Sequence, residues 1–209
     1  MTFSPKDGKF FWLDIKDKKE ERMKYLFKSI VGLIIFAIFL TQCSTSKIQT
    51  QGYDFRKAKW AMSKEEVKNT DIITAEGTDK AGNPYLLAED TVADLPCRVG
   101  YYFSKAKLMV GGYVFVSEYV NRNEYIEDYE RIKRYLTGIY GSPDDEISVW
   151  RDNQAKQEYQ DDQEHWGNAI SRGQLSYFAK WESERTLMQL FLNGGNGKVN
   201  LAVRCKSKE

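Results

Sequence analysis

The stretch CRVGYYFSKAKLMVGGYVFV, residues 97–116, predicts two neighbouring antiparallel strands. Val99, Tyr101 and Phe103 alternate with polar or smaller residues, which is the period-two pattern of a strand that buries one face. A second run, residues 108–116, follows after a turn of only four residues, short enough for a hairpin. The sequence therefore predicts an antiparallel sheet built around this hairpin.

Further short strands are predicted on both sides of this hairpin. They are apolar, aromatic or β-branched runs bounded by turn residues, at 85–89, 147–150, 175–181, 186–192 and 198–204. The last two are separated by Asn193-Gly194-Gly195-Asn196-Gly197, residue types that tolerate the positive φ of tight turns. The sequence therefore predicts a second hairpin there.

One long helix is predicted at residues 121–140. Apolar residues recur there at spacings of three and four, which places them on one stripe of a helix. They are Tyr125, Tyr129, Ile132, Leu136 and Ile139. Asn121 and Glu124 are suited to begin this helix, and the sequence Gly-Ser-Pro that follows Tyr140 is suited to end it.

A shorter helix is predicted to begin at Ser63, where Ser63 and Glu66 have the spacing of a capping box. The order is then helix, three strands, helix and four strands, which has the form of two tandem helix-plus-strands units. We expect residues 53–209 to form an α+β domain, an antiparallel sheet with the helices packed on one face. The polar, acidic segment 152–173 is predicted to be an excursion on the surface.

Charge is unevenly distributed along the chain. Of 31 basic and 30 acidic residues in the whole sequence, residues 1–28 carry eight and five, and residues 29–42 carry none. The remainder carries 23 basic and 25 acidic residues. It therefore lacks the clustered positive charge on which binding of nucleic acid rests, and we expect no nucleic-acid partner.

The uncharged run has the length of the hydrophobic part of an export signal. Its strictly apolar part, residues 30–40, is much shorter than the roughly 20 residues that a membrane-spanning helix needs. Apolar residues cover every face of it, unlike an amphipathic core helix, and two lysines precede it. We interpret residues 23–42 as a signal peptide that starts at Met23. Residues 1–22 are then an upstream extension or a cytosolic tail.

Leu40-Thr41-Gln42-Cys43 follows the apolar run and resembles the lipobox of bacterial lipoproteins. The resemblance implies that Cys43 is diacylated and becomes the mature N-terminus, followed by a polar linker over residues 43–52. Several acyl chains anchor a protein stably where one does not. The protein is then held in the cell envelope, facing the periplasm or exterior, and Ser44 favours the outer membrane in a Gram-negative cell. The alternative is an uncleaved signal anchor with an unmodified Cys43.

A second resemblance covers Trp60-Ala61-Met62-Ser63-Lys64-Glu65-Glu66-Val67. This stretch is similar to the helix start of SmpA/OmlA-type envelope lipoprotein domains. The related β-lactamase-inhibitor-protein-like fold repeats helix-plus-strands units in tandem and serves binding. The resemblance implies an envelope location and a tandem α+β fold, and it assigns no binding residues.

The three cysteines are consistent with export. If Cys43 carries lipid, Cys97 and Cys205 remain as the only other cysteines. In an oxidising compartment these two can form a disulfide. The alternative is two buried free thiols, which behave as small hydrophobic side chains.

No catalytic constellation is evident. His165 is the one histidine of the chain, which excludes sites built on several histidine ligands. Asp161, Asp162 and Glu164 beside it are typical of a solvated acidic loop, and no G-x-S-x-G motif surrounds any serine. We predict no catalytic residue, metal or cofactor. The alternative is an exported hydrolase that uses His165 or an Asp/Glu pair.

Residues 161–168 are the predicted contact site for an envelope protein partner. Trp166 lies there in a polar segment, whereas the tryptophans on predicted strands are expected to fill the core. The residues predicted to touch the partner are Asp161, Asp162, Glu164, His165 and Trp166. Together these features predict a lipid-anchored, non-catalytic binding or scaffold module.

Overall fold

The computed structural model describes residues 52–209. The extension 1–22, the signal peptide 23–42, Cys43 and residues 44–51 of the linker lie outside the described residues. No helix within the described part is both long and apolar enough to cross a membrane.

A single eight-stranded sheet forms most of the described domain. Its strands are β1 Ala75–Thr78, β2 Pro84–Val92, β3 Leu95–Ser104, β4 Lys107–Phe115, β5 Asp145–Trp150, β6 Leu175–Glu182, β7 Thr186–Gly195 and β8 Lys198–Ser207. Every pairing between them is antiparallel. The predicted antiparallel sheet is confirmed, and so are all seven predicted strands. β1 was not predicted.

The strand order across the sheet is β1-β2-β3-β4-β8-β7-β6-β5. Strands β1 to β4 therefore form one four-stranded meander and strands β5 to β8 form another. The two meanders join where β4 pairs with β8. That seam pairs residues 110–114 with residues 202–206.

Tight hairpin turns fix the register within the meanders. Lys105 and Ala106, which join β3 to β4, have φ of 49° and 62°. Asn196 and Gly197, which join β7 to β8, have φ of 53° and 78°. Two successive residues with positive φ match the right-handed twist of the flanking strands. The predicted hairpins are confirmed at both places.

Within the described residues, the α-helices make up less of the domain than the sheet does, and α2 is the one long helix among them. They are α1 Lys64–Lys68, α2 Glu124–Tyr140, α3 Asn153–Tyr159 and α4 Trp166–Ser171. In α1 the predicted capping box is present, because the Glu66 amide donates to Ser63 Oγ over 3.3 Å and the Ser63 amide donates to Glu66 Oε2 over 2.7 Å. These two bonds satisfy backbone donors that a helix start otherwise leaves unpaired.

Helix α2 packs through the predicted stripe. Tyr129, Ile132 and Leu136 are buried in the same core as the inward-facing side chains of the strands. The helix begins at Glu124 rather than at residue 121. Asn123 precedes it and accepts a hydrogen bond from the Gly167 amide over 2.7 Å, which ties the start of α2 to α4.

The segment 152–173 is not only a polar excursion, so that prediction was wrong in part. It contains α3 and α4, and within α4 the side chains of Ala169 and Ile170 are buried in the core. These two buried residues are adjacent and most of their neighbours in the segment are polar. The sequence therefore shows no helical spacing of apolar residues there.

Candidate functional site

The two faces of the sheet differ in what covers them. On β3, Val99, Tyr101 and Phe103 point to the face on which the helices pack, and all three are buried. We call this the core face and the opposite one the open face. On the open face Tyr102 and Val114 are 43% and 46% exposed, a large exposure for side chains within a sheet. Apolar side chains therefore remain exposed to solvent on the open face.

One row of paired residues crosses nearly the whole open face. The strand registers place these residues side by side, from β2 to β5: Glu89, Arg98, Val114, Ala202, Phe191, Phe178 and Ile147. After the two charged residues at one end, the remaining five are apolar, and Ile147 at the far end is 47% exposed. This continuous apolar row is unusual for a surface facing water.

A shallow trough of about 360 Å³ lies across β3, β4, β7 and β8 on this face. We name it the open-face trough. Its floor is formed by Gly100 and Gly112, and its walls and end include Tyr102, Val110, Phe191 and Arg204. Because glycine lacks a side chain, Gly112 leaves a depression between larger neighbours, whereas the ring of Tyr102 covers Gly100.

Close contacts explain glycine at both floor positions. A Cβ on Gly100 would lie 2.6 Å from the ring of Tyr102, so that ring lies over the glycine. A Cβ on Gly112 would lie 2.8 Å from the carbonyl oxygen of Val203 on the neighbouring strand. The Val203 oxygen belongs to the backbone and cannot move aside easily, so the trough depends on Gly112, whereas the Tyr102 ring is the end of a side chain that can shift.

The charges on the central strands around the trough have one sign. On the open face of β3, β4, β7 and β8 the charged side chains are Arg98, Lys107, Lys198, Arg204 and Lys206, with no Asp or Glu among them. None of the five makes an ion pair or side-chain hydrogen bond within residues 52–209. Glu89 on the neighbouring strand β2 lies opposite Arg98 in the register. Strand β6, which lies between β7 and the edge strand β5, differs because its Lys180 and Glu182 form an ion pair at 3.7 Å.

The acidic cluster predicted as a contact site lies elsewhere, between α3 and α4. Asp161, Asp162, Glu164 and His165 are all exposed there. His165 Nδ1 lies 2.8 Å from Asp162 Oδ2, and the imidazole stacks on Tyr159 with ring centroids 5.4 Å apart. The structure therefore groups these residues on a surface turn, separate from the trough.

Trp166 serves mainly to hold this turn on the domain. It is half-buried, its Nε1 donates to the carbonyl oxygen of Tyr159 over 2.8 Å, and its ring lies 6.5 Å from that of Tyr177. A tryptophan with its N–H satisfied and its ring against the core offers little surface to a partner. Within the described residues, no group of three His, Cys, Asp or Glu side chains is arranged to hold a metal ion.

The predicted bridge between Cys97 and Cys205 is not present, because both are buried free thiols. Cys97 pairs with Phe115 and Cys205 with Gly111. The two cysteines are therefore two strands apart and displaced by four residues along β4, roughly 16 Å from one another. A disulfide needs Cα atoms within about 7 Å, so this fold does not permit the bridge.

A partly buried charged network, which sequence reasoning missed, holds the segment before α1. Arg56 Nε lies 3.0 Å from Asp71 Oδ2, and the same guanidinium also contacts Asp90. Tyr101 donates its hydroxyl to Asp71 Oδ2 over 2.5 Å. Burial, reinforced by this hydrogen bond, raises the pKa of Tyr101 well above its ordinary value. Four residues so distant in sequence give no local signal.

Comparison of the chain with protein-family models, with curated proteins and with solved structures found no match. Function is therefore argued from the residues and geometry of the chain itself.

Proposed function

We propose that the protein is a lipid-anchored cell-envelope protein whose domain acts as a non-catalytic binding module. The observation that carries this proposal is the open face, where apolar side chains of adjacent strands remain exposed beside a trough. Contiguous apolar patches on a soluble surface mark sites of interaction, because leaving them in water is unfavourable. A protein partner in the envelope that docks on this face would cover them.

The anchor in this proposal is Cys43, on the strength of its resemblance to a lipobox. The chain then continues through a polar linker to residue 52. The protein faces the periplasm or exterior, on the outer membrane if the cell is Gram-negative.

We also infer that residues 53–209 are two tandem helix-plus-strands units. The strand order supports this, since each half of the chain supplies one four-stranded meander and a helix precedes each meander. The likeness of residues 60–67 to SmpA/OmlA-type envelope domains agrees with the same arrangement.

Site-specific photo-crosslinking in the envelope tests the binding module. Benzoylphenylalanine is placed at Val114 on the open face, at Glu164 in the predicted acidic contact site, and at Val120, a fully exposed loop residue, as the matched control. We expect a discrete protein adduct from Val114 and none from Val120. An adduct from Glu164 alone would move the contact to residues 161–166. If neither position gave an adduct, the binding module would be contradicted.

Metabolic labelling with a fatty-acid analogue tests the anchor. The wild type should incorporate the label and the variant Cys43→Ala should not, because the thiol that accepts the lipid is missing. Equal labelling of both would refute lipidation at Cys43, and an unlabelled wild type that stays in the membrane would support the uncleaved signal anchor.

A further inference from the structure

We propose that the open-face trough binds one large apolar side chain that carboxylates flank, so that the partner is a protein with an exposed acidic segment. This inference deepens the proposed function and rests on it. The occupant is defined by two properties of the trough, its shape and the charge around it.

The shape of the trough favours a single protruding side chain. Its volume of about 360 Å³ lies at the lower end of the range for ligand pockets, roughly 300 to 1,000 Å³. It is open to solvent on one side, and its floor has no side chain at Gly112, whereas the ring of Tyr102 covers Gly100. An aromatic or large aliphatic side chain can rest there against Tyr102 and Phe191, since aromatic and aliphatic anchors in pockets dominate most protein interfaces.

The charge around the trough specifies what should flank that side chain. Arg204 lies at the trough itself, and Arg98 and Lys206 lie on the same face of the adjoining strands. All three lack an ion-pair partner within the described residues, and no acidic side chain stands among them on the central strands. A guanidinium presents a planar fork that matches a carboxylate, so Asp or Glu beside the anchor would satisfy it.

The same charges argue against two other occupants. A second copy docked open face to open face would bring the three cations of one copy against those of the other, and like charges in contact oppose association. The linker over residues 43–52 carries Lys47 and no Asp or Glu, so it offers nothing to the two arginines. An acidic segment of another protein fits where these do not.

The test is a selection from a phage-displayed library of random peptides against the immobilised full chain in detergent micelles. The same selection is run on Arg204→Glu and on Arg134→Glu, which makes the same change of charge at an exposed residue of helix α2. Circular dichroism of each variant checks that it is folded. The strongest peptide is then synthesised, and its dissociation constant is measured by fluorescence polarisation at low and high salt.

We expect the enriched peptides to carry an aromatic or large aliphatic residue with Asp or Glu on one or both sides. Arg204→Glu should weaken the best peptide by about tenfold or more, because a charge-assisted hydrogen bond becomes a repulsion. Arg134→Glu should change the affinity by less than about twofold, as is usual for a distant surface charge. Added salt should weaken binding, and replacing the apolar residue by Ser should abolish it.

Other outcomes overturn the inference in ways that can be told apart. Enriched peptides that are apolar but uncharged or basic, and that bind Arg204→Glu as tightly as the wild type, would refute the acidic segment while the binding module stands. No enrichment above background would refute both. Peptides that fail to bind while vesicles containing anionic lipid bind through Arg204 would show that this face meets a membrane instead.

Discussion

Among single residues, Gly112 is the one on which the seam between the two meanders depends most directly. It lies where β4 pairs with β8, and a Cβ there would stand 2.8 Å from the Val203 carbonyl oxygen. Gly112→Ala should therefore reduce the free energy of unfolding by about 1 to 3 kcal/mol, the usual cost of overpacking. The measurement is urea denaturation followed by circular dichroism.

Gly138 supplies the matched control for this substitution. It lies in α2, and a Cβ built on it meets nothing within 4 Å. Gly138→Ala should therefore stabilise the protein by roughly 0.5 to 1 kcal/mol, because alanine loses less backbone entropy in a helix. Equal effects of the two alanines would show that the approach of β4 to β8 is not as close as described.

Cys205 should make stability depend on pH in the alkaline range. Burial raises the pKa of its thiol from 9.0 to about 12. The stability that comes from the neutral buried thiol is complete below pH 9, where the unfolded thiol is also protonated, and is lost as pH rises toward 12. By pH 10 this loss amounts to roughly 1.4 kcal/mol, from one pH unit of difference in proton binding.

The variant Cys205→Ala isolates that contribution. It should be less stable than the wild type at pH 8, since it leaves a small cavity. Between pH 8 and pH 10, however, the free energy of unfolding should fall by roughly 1.4 kcal/mol less in the variant than in the wild type. Urea midpoints at both pH values measure the difference. Parallel pH profiles would contradict the shifted pKa.

Among the elements, α2 stands out because it supplies the most extended cover of the core face. Leu136 on its buried stripe is 4% exposed, whereas the adjacent Tyr135 is 45% exposed. Leu136→Ala should cost about 2 to 5 kcal/mol through lost burial and a cavity. Tyr135→Ala should cost less than about 1 kcal/mol, since it removes a side chain that is largely in water. Thermal melts that respond equally to both would refute the assigned packing face.

The elements themselves could largely be predicted, because their signals are local. The alternation at Val99, Tyr101 and Phe103 and the stripe through Leu136 identified elements that the structure contains. β1 escaped prediction since Ala-Glu-Gly-Thr has few strand-forming residues, and β2 is the one strand with which this edge strand pairs. Helix α4 escaped because it is only six residues long and Ala169 and Ile170 are its only fully buried apolar side chains, too few to give a helical pattern.

The candidate site could not be predicted in the same way, because it depends on register between strands. The row from Arg98 to Ile147 exists only once five strand pairings are known. Sequence reasoning turned instead to residues 161–166, where charge and a tryptophan cluster locally. It also joined Cys97 to Cys205 by counting cysteines, whereas the register of β3, β4 and β8 keeps them apart.

For the whole molecule, the decisive feature is that one core spans both meanders. Buried residues of β2 and β3 belong to the same hydrophobic cluster as those of β6, β7 and α2. The segment before α1 also reaches across, since Trp60 Nε1 donates to Thr186 Oγ1 over 2.8 Å and Asp54 pairs with Arg185 at 3.3 Å. A tandem origin of the two halves would therefore not make them independent folding units.

This continuity predicts a single cooperative unfolding transition of residues 53–209. Tryptophan fluorescence and far-ultraviolet circular dichroism should give the same urea midpoint, because no core boundary separates the meanders. Trp60→Phe, which removes the hydrogen bond to Thr186 and part of a buried ring, should cost about 1 to 3 kcal/mol and move both signals together. Hydrogen exchange should show that the slowest amides of β3 and of β7 open with the same free energy in the wild type and in the variant. If β7 opened before β3, or if the two optical signals separated, the halves would be separate folding units joined only at the β4–β8 seam.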